Sequence, residues 1–302
     1  MKVVIALGGN ALLKRDEPLD TEIQRANIRI ASRAVREVAS LHEVVLTHGN
    51  GPQVGLIALQ AAACSETVCP YPLDVIGAQS EGMLGYMLGR EIENQMPDRK
   101  VVNLITETLV DASDPAFSSP SEFVGPGYVE AGSERLVREM GWVFKRDGDS
   151  YRRVVASPMP VEVLEIDAIR LLFESGYFVI CAGGGGVPVV KEDGLFHGVE
   201  AVVNKDRTAG VLATHLGFDF LLMLTDVDGV YTGWGTEEAE KLSRIEATEI
   251  DRSEFEEGTI RPKIEAGCDF MNSGGRGAGI GAMEDALKIL NGEAGTLISR
   301  LP

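Results

Sequence analysis

Little histidine, little cysteine and a shortage of positive charge set the first bounds on this 302-residue chain. Its four histidines, His42, His48, His197 and His215, are scattered, and His48, beside a glycine loop, reads as structural or capping rather than catalytic. The four cysteines, Cys64, Cys69, Cys181 and Cys268, lack the C-x-x-C spacing of zinc or thioredoxin-like sites, so reduced thiols in a cytosol are expected. Lys and Arg total 28 against 46 Asp and Glu, a net charge of −18, which excludes nucleic acid as a partner because phosphate backbones need a basic footprint. Any phosphate site must then be a local basic pocket. No run approaches the ~18 apolar residues of a membrane span. The opening run Met1 to Leu7 is too short for a signal peptide and meets Gly8-Gly9 at once, so a soluble cytoplasmic protein is expected.

Several motifs are missing as well. There is no G-x-x-x-x-G-K-[ST] loop, and Gly49-x-Gly51 has Val54 where a dinucleotide fingerprint needs its third glycine. No G-x-S-x-G, H-E-x-x-H or EF-hand pattern occurs, which weakens hydrolase and metal-site readings.

What is present is a hydrophobic content of 44%, enough for a large core, and strand-like runs that end in glycines. Val3 to Leu7 is an uninterrupted apolar run, as in a strand buried on both faces, and leads to Gly8-Gly9-Asn10. Ile23, Asn27, Ile30, Ala34 and Val38 recur at helical spacing. Glu43 to Thr47 reads as a strand ending in His48-Gly49-Asn50-Gly51-Pro52, where Pro52 suits a first helical turn and the glycines an anion site. Asp74 to Asn94 predicts a long helix whose glycines suit close packing, and Val101 to Ile105 a third strand. From Asp111 to Pro160 prolines punctuate polar residues, and a hairpin with its turn near Asp147-Gly148 marks an excursion from the main sheet, a candidate lid. Val161 to Ser175 predicts a helix, Tyr177 to Cys181 a strand, and Ala209 to Leu216 a helix; Asp219 to Thr225 predicts a strand, and Pro262 onward a helix. Gly281 to Leu290 and Thr296 to Ser299 read as a final helix and strand. This alternation means α/β with a mainly parallel sheet, whose ligands sit beyond the carboxyl ends of the strands.

The densest chemistry lies between Tyr177 and Arg207. Four glycines, Gly183 to Gly186, follow a strand, and Asn204-Lys205-Asp206-Arg207 follows at a probable helix start. Glycine loops at strand ends, with Lys205 and Lys263 each at a helix start, suit phosphoryl transfer, where catalysis is mostly positioning and neutralisation of charge. An acceptor that is already an anion needs no general base.

Ile5-Ala6-Leu7-Gly8-Gly9-Asn10-Ala11-Leu12, Thr47-His48-Gly49-Asn50-Gly51-Pro52-Gln53-Val54-Gly55, Ala182-Gly183-Gly184-Gly185-Gly186-Val187-Pro188, Leu224-Thr225-Asp226-Val227-Asp228-Gly229-Val230-Tyr231 and Pro262-Lys263-Ile264-Glu265-Ala266 together resemble the carbamate kinases of the amino acid kinase superfamily. The likeness runs from Met1 to the C-terminus. It implies a single domain over 1–302: a three-layer αβα sandwich on an open, mainly parallel sheet of about eight strands, with a lid inserted at 111–160, and a homodimer. It also implies reversible transfer between ATP and carbamate, giving ADP and carbamoyl phosphate, used for ATP synthesis in fermentative arginine and nitrogen catabolism. Magnesium would be held mainly through the nucleotide phosphates, with no metal ligands assigned on the protein. By position, Gly8, Gly9, Asn10, Gly49, Asn50 and Gly51, with Gly184 and Gly185, are expected to hold carbamate and the moving phosphoryl group. Lys205 and Lys263 would neutralise the β- and γ-phosphates, Asp206 would orient the lysines, and Asp226, Asp228 and Tyr231 would line the nucleotide pocket.

Four positions depart from the family pattern. Glu122 stands in Pro120-Ser121-Glu122-Phe123-Val124-Gly125-Pro126 where the family has a lid lysine that reaches the active site. Asn204 replaces an aspartate, Arg207 an apolar residue, and Arg261 a glycine. Either Arg207 or Arg261 supplies the missing charge, or the acceptor pocket has changed toward another small acid or lost activity. A non-catalytic nucleotide or amino-acid sensor is the reading from another class.

Overall fold

The computed structural model describes residues 1–13, 17–18, 20–63, 67, 69–236, 238–255 and 259–300; Cys64 lies outside them, as do the side chains of Asn10 and Ala11. Its main sheet is built from β1 (Lys2–Leu7), β2 (Glu43–His48), β3 (Val101–Asn103), β4 (Phe178–Ile180), β5 (Phe220–Thr225), β6 (Arg244–Glu246), β7 (Gly277–Ala282) and β8 (Thr296–Ser299). The spatial order is β6-β8-β7-β5-β1-β2-β4-β3, parallel throughout except between β7 and β8. The helices are α1 (Gly9–Leu12), α2 (Thr21–Ala39), α3 (Gly51–Ala63), α4 (Leu73–Gln95), α5 (Glu130–Met140), α6 (Ile166–Glu174), α7 (Lys205–Leu216), α8 (Arg261–Asn272) and α9 (Ala286–Asn291).

The apolar run of β1 explains its central place. Side chains alternate across a strand, so Val4 and Ala6 join one core with Leu212 of α7 and Ile264 of α8, while Val3, Ile5 and Leu7 join the other with Val35 of α2 and Leu88 of α4. All five are completely buried, at roughly 1.5–3 kcal/mol for each large aliphatic chain. This is the expected three-layer sandwich. Within α2, Asn27, Ala34 and Val38 of the predicted stripe are buried together with Ile28, Ala31 and Val35, whereas Ile30 points to solvent. Gly85 of α4 serves close packing on the edge strand, since a Cβ there would stand 2.0 Å from Asn103 Oδ1.

Two predicted helices begin too early. Val161-Glu162-Val163 belongs to a strand, Pro160–Val163, which pairs antiparallel with Glu107–Val110, and α6 starts only at Ile166. Its β-branched residues at alternate positions suit a pleated strand, and Val163 is fully buried. Likewise Gly281 ends β7 instead of opening a helix, and α9 starts at Ala286. A Cβ at Gly281 would approach Ile289 Cδ1 to 2.8 Å, so the glycines of this strand let α9 lie close on the sheet. A second sheet, of strands 195–198, 187–192, 107–110 and 160–163 in that order, was not foreseen; the predicted third strand is also shorter and gives way to its Glu107–Val110.

The excursion carries its own three-stranded sheet, in which Ser150–Val155 lies between Glu122–Tyr128 and Val143–Asp147. The hairpin turns at Gly148, whose φ of 60° suits glycine. The first of these strands rests directly on α3: a Cβ at Gly55 would lie 1.9 Å from Gly125 Cα. Backbone meets backbone there, with no side chain able to yield. Gly55→Ala is therefore expected to lower unfolding free energy by about 1–3 kcal/mol in urea titrations. Gly77→Ala, also helical but with nothing within 4 Å of the new methyl group, should instead be neutral or stabilising by under about 1 kcal/mol.

Candidate active site

Three loops at the carboxyl ends of central strands meet at one point. The Gly8 N–H donates to the Leu224 carbonyl at 2.8 Å and the Gly49 N–H to Leu7 at 2.9 Å, tying each loop to its neighbouring strand. A Cβ at Gly49 would stand 2.8 Å from the Gly9 nitrogen and 3.4 Å from Lys205 Cδ, so the first two loops and Lys205 touch. Gly9 and Gly51 open α1 and α3, whose first-turn N–H groups have no carbonyl four residues back and suit an anion.

Lys205 and Lys263 come from different helices and converge on one carboxylate. Lys205 Nζ lies 2.5 Å from Asp206 Oδ1, and Lys263 Nζ lies 2.9 Å from Asp206 Oδ2. The helices can approach because Gly210 of α7 faces Ala266 of α8, where a Cβ would sit 3.2 Å from the Ala266 carbonyl. Asn204 caps α7, its Oδ1 accepting from the N–H groups of Asp206 (3.1 Å) and Arg207 (3.4 Å). Pro262 occupies the first turn of α8, where its missing N–H costs nothing. All three charged groups are buried. Burial would raise the Asp206 carboxyl, but the two ammonium groups outweigh it and hold it at about 2. Burial and the neighbouring Lys263 bring Lys205 down to about 8, against the pull of Asp206. Two ammonium groups against one carboxylate leave a local positive charge, the basic pocket that an acidic chain needs to hold phosphate.

The oligoglycine loop is explained by close approach. Its N–H groups at Gly183, Gly185 and Gly186 are taken by Glu81, Ala182 and Gly183 respectively, at 2.9–3.1 Å. A Cβ at Gly184, which has φ +66°, would fall 2.0 Å from Asn50 Nδ2, so this glycine makes room for the asparagine of the second loop. Two adjacent residues of α4 hold both partners. Ser80 Oγ accepts from Asn50 Nδ2 at 2.7 Å, while Glu81 Oε1 accepts from the Gly183 N–H and from Thr106 Oγ1 at 2.7 Å. Thr108 and Thr208 hydroxyls both donate to the Gly185 carbonyl. Ser80, Glu81 and these threonines were not foreseen, because a polar residue on an apolar helix face or strand carries no sign of which loop it will meet. His48, fully buried, has Nδ1 3.2 Å from the Gly49 carbonyl and is held near pKa 4 by burial, so the ring is neutral and structural.

At the end of β5, Asp226 Oδ1 accepts from Thr225 Oγ1 at 3.0 Å. Asp228 accepts from the Tyr231 hydroxyl and from Lys241 Nζ, each at 2.9 Å. Those bonds brace a hairpin of strands 230–232 and 240–242. Lys241 is a cation that the motif reading missed.

Glu122, Asn204 and Arg207 adjoin one another, while Arg261 opens α8. Glu122 is half-buried, and its Oε2 lies 3.5 Å from Asn204 Nδ2, the far end of the same amide that caps α7. Burial raises its carboxyl above the ordinary range, with Asn204, Arg207 and Lys263 opposing. Neither arginine replaces the missing lysine. Arg207 gives Nε and a terminal nitrogen to Glu265 at 3.1 and 2.5 Å, and Arg261 donates to the carbonyls of Phe255 and Ser253.

This fold with these loops matches the amino acid kinase family model over residues 1–280, and the chain belongs to that family. Within the family it stands with the carbamate kinases. It is 46% identical over 303 residues to the carbamate kinase of Rhizobium meliloti (strain 1021), covering 99% of this chain and 93% of that one. The carbamate kinase from Giardia lamblia bound to citric acid superposes with a TM-score of 0.93 at 36% identity, over 99% of this chain and 98% of that one. The same enzyme bound to AMP-PNP gives 0.90 at 37%, over 99% and 98%.

Glu81 makes stability depend on pH. Burial lifts its carboxyl from an ordinary 4.5 to about 7 against the hydrogen bonds of Thr106 and Gly183. The folded state then binds the proton more tightly than the unfolded chain, so this group's stabilisation is complete below pH 4.5 and is lost as pH rises through 7. The span is worth on the order of 3 kcal/mol. Asp206 acts in the opposite sense and at lower pH, losing its contribution as pH falls through about 2. Urea unfolding at a series of pH values is expected to show stability falling between pH 5 and 7, and Glu81→Gln should flatten that slope.

Proposed function

We propose that the chain catalyses reversible phosphoryl transfer between MgATP and carbamate, giving ADP and carbamoyl phosphate. The observation that carries this reading is the buried bridge in which Lys205 and Lys263 share Asp206, set against the helix-opening loops at Gly9 and Gly51. The carbamate kinase activity named for the relatives and the binding of AMP-PNP by the Giardia lamblia enzyme support the same substrates. In the forward direction a carbamate oxygen attacks the γ-phosphorus, the bond from that phosphorus to the β,γ-bridging oxygen breaks, and ADP leaves. The acceptor is an anion already, so no side chain must take a proton, which agrees with a neutral, buried His48.

The residues then divide the work. Gly8, Gly9, Asn10, Gly49, Asn50 and Gly51 hold carbamate and the moving group, with Gly184 and Gly185 shaping the loop behind Asn50. Lys205 and Lys263 neutralise the charge that spreads over the phosphoryl oxygens, where prepositioned cations are most effective. Asp206 keeps both in place. Asp226, Asp228 and Tyr231 line the nucleotide. Magnesium would arrive as part of MgATP and be carried by its phosphates, since two ammonium groups beside Asp206 disfavour a further cation there. Residues 111–160 act as a lid, through the strand that lies on α3. A cytoplasmic homodimer working in arginine catabolism, in the direction of ATP synthesis, completes the reading.

The test is ATP formation from ADP and carbamoyl phosphate by the purified protein. Lys205→Ala is expected to lower kcat by about a hundred- to a thousandfold while leaving the fold intact by circular dichroism. An unchanged rate in that variant would remove Lys205 from the site.

A further inference from the structure

Carbamate shares its carboxylate with acetate and bicarbonate and differs from them in one substituent, an amino group in place of a methyl or a hydroxyl. Its oxygens need hydrogen-bond donors, which on the reading above come from the first turn of α3 and the two lysines. An amino group is a donor and needs an acceptor. Backbone donors and ammonium groups alone would accept any small acid of the same shape.

Asp206 is a poor candidate, because Lys205 and Lys263 flank its two oxygens and an amino group would have to enter between two cations to reach it. Glu122 can serve. Its place is set from two sides: the Gly55 to Gly125 backbone contact pins its strand on α3, and the carbonyl of the next residue, Phe123, is 3.9 Å from where a Gly51 Cβ would be. On the other side is Asn204, whose Oδ1 is committed to the cap of α7, so that the Nδ2 group is the one turned to Glu122. The carboxylate therefore stands between the second glycine loop and the start of the lysine helix. Its hydrogen bond to Asn204 is 3.5 Å long, at the limit of a useful bond, and a carboxylate has about four lone-pair sites to fill. Arg207 and Arg261 are engaged with Glu265 and with the Ser253 and Phe255 carbonyls. Removed in part from water and weakly bonded, this acceptor has capacity for a donor on the substrate.

We propose that Glu122 is a specificity-determining residue, whose carboxylate accepts a hydrogen bond from the amino group of carbamate or carbamoyl phosphate and so selects it over acids that lack an N–H. This rests on the phosphoryl-transfer reading above. It also turns the departure at position 122 from a lost cation into a gained acceptor.

The experiment compares kcat/KM for ADP phosphorylation by carbamoyl phosphate and by acetyl phosphate in the wild type, Glu122→Ala and Glu122→Gln, each checked for its ADP-induced rise in Tm. A hydrogen bond to a charged group has the strength to change such a ratio by about 10- to 150-fold. The carbamoyl-over-acetyl ratio is expected to fall at least about tenfold in Glu122→Ala. Most of it should return in Glu122→Gln, whose amide oxygen still accepts. A ratio unchanged in Glu122→Ala, or equal losses with both phosphoryl donors, would overturn the inference and leave the carbamate kinase reading standing. Wild-type protein that forms no ATP from carbamoyl phosphate would overturn both.

Discussion

Two lysines sharing one buried aspartate are the interaction on which the rest of this structure depends. Ammonium groups shielded from water are costly unless paired, and here a single carboxylate pairs both. The arrangement requires that the first turns of α7 and α8 face one another, which in turn requires the small residues Gly210 and Ala266 where the helices touch. The two ammonium groups outnumber the carboxylate they share, in a protein whose net charge is −18. A phosphate binding there meets a local field opposite in sign to that of the molecule as a whole.

Behind the bridge lies a layer of neutral and acidic groups that has no part in the chemistry but decides its geometry. Helix α4 places Ser80 under Asn50 and Glu81 under the oligoglycine loop, so one rigid element sets the spacing of two others. The glycines are needed because side chains and backbone from three elements occupy the space that a Cβ would take. Their N–H groups are largely spent within the protein, and their value to the site lies in letting Asn50 and Val203 come close.

The excursion of residues 111–160 joins this frame at two places with different physics. At Gly55 and Gly125 the contact is steric and unforgiving, whereas at Glu122 and Asn204 it is a long, weak polar contact. A firmly seated strand thus carries a carboxyl group that is only loosely satisfied. That combination suits a group meant to meet a ligand. Asn204 links the two parts, because one end of its amide caps a helix and the other meets Glu122.

The order of elements, the buried central strand and the glycine loops at strand ends were legible in the sequence, because each rests on local rules: apolar runs, helical spacing, and the small set of residues that can cap or turn. Lys205, Asp206 and Lys263 were legible as a set for the same reason, each lying at a recognisable helix start. The strand hidden in Pro160–Val163 was not, since its pairing partner at Glu107–Val110 is some fifty residues away. Glycine-rich β7 was taken partly for helix because its packing against Ile289 is a tertiary fact. The sequence by itself determined which groups would gather at the carboxyl edge of the sheet. Only the tertiary structure decided that Asp206 is shared, that Arg207 and Arg261 bind elsewhere, and that Glu122 meets Asn204, because long side chains choose partners by distances that no spacing along the chain records.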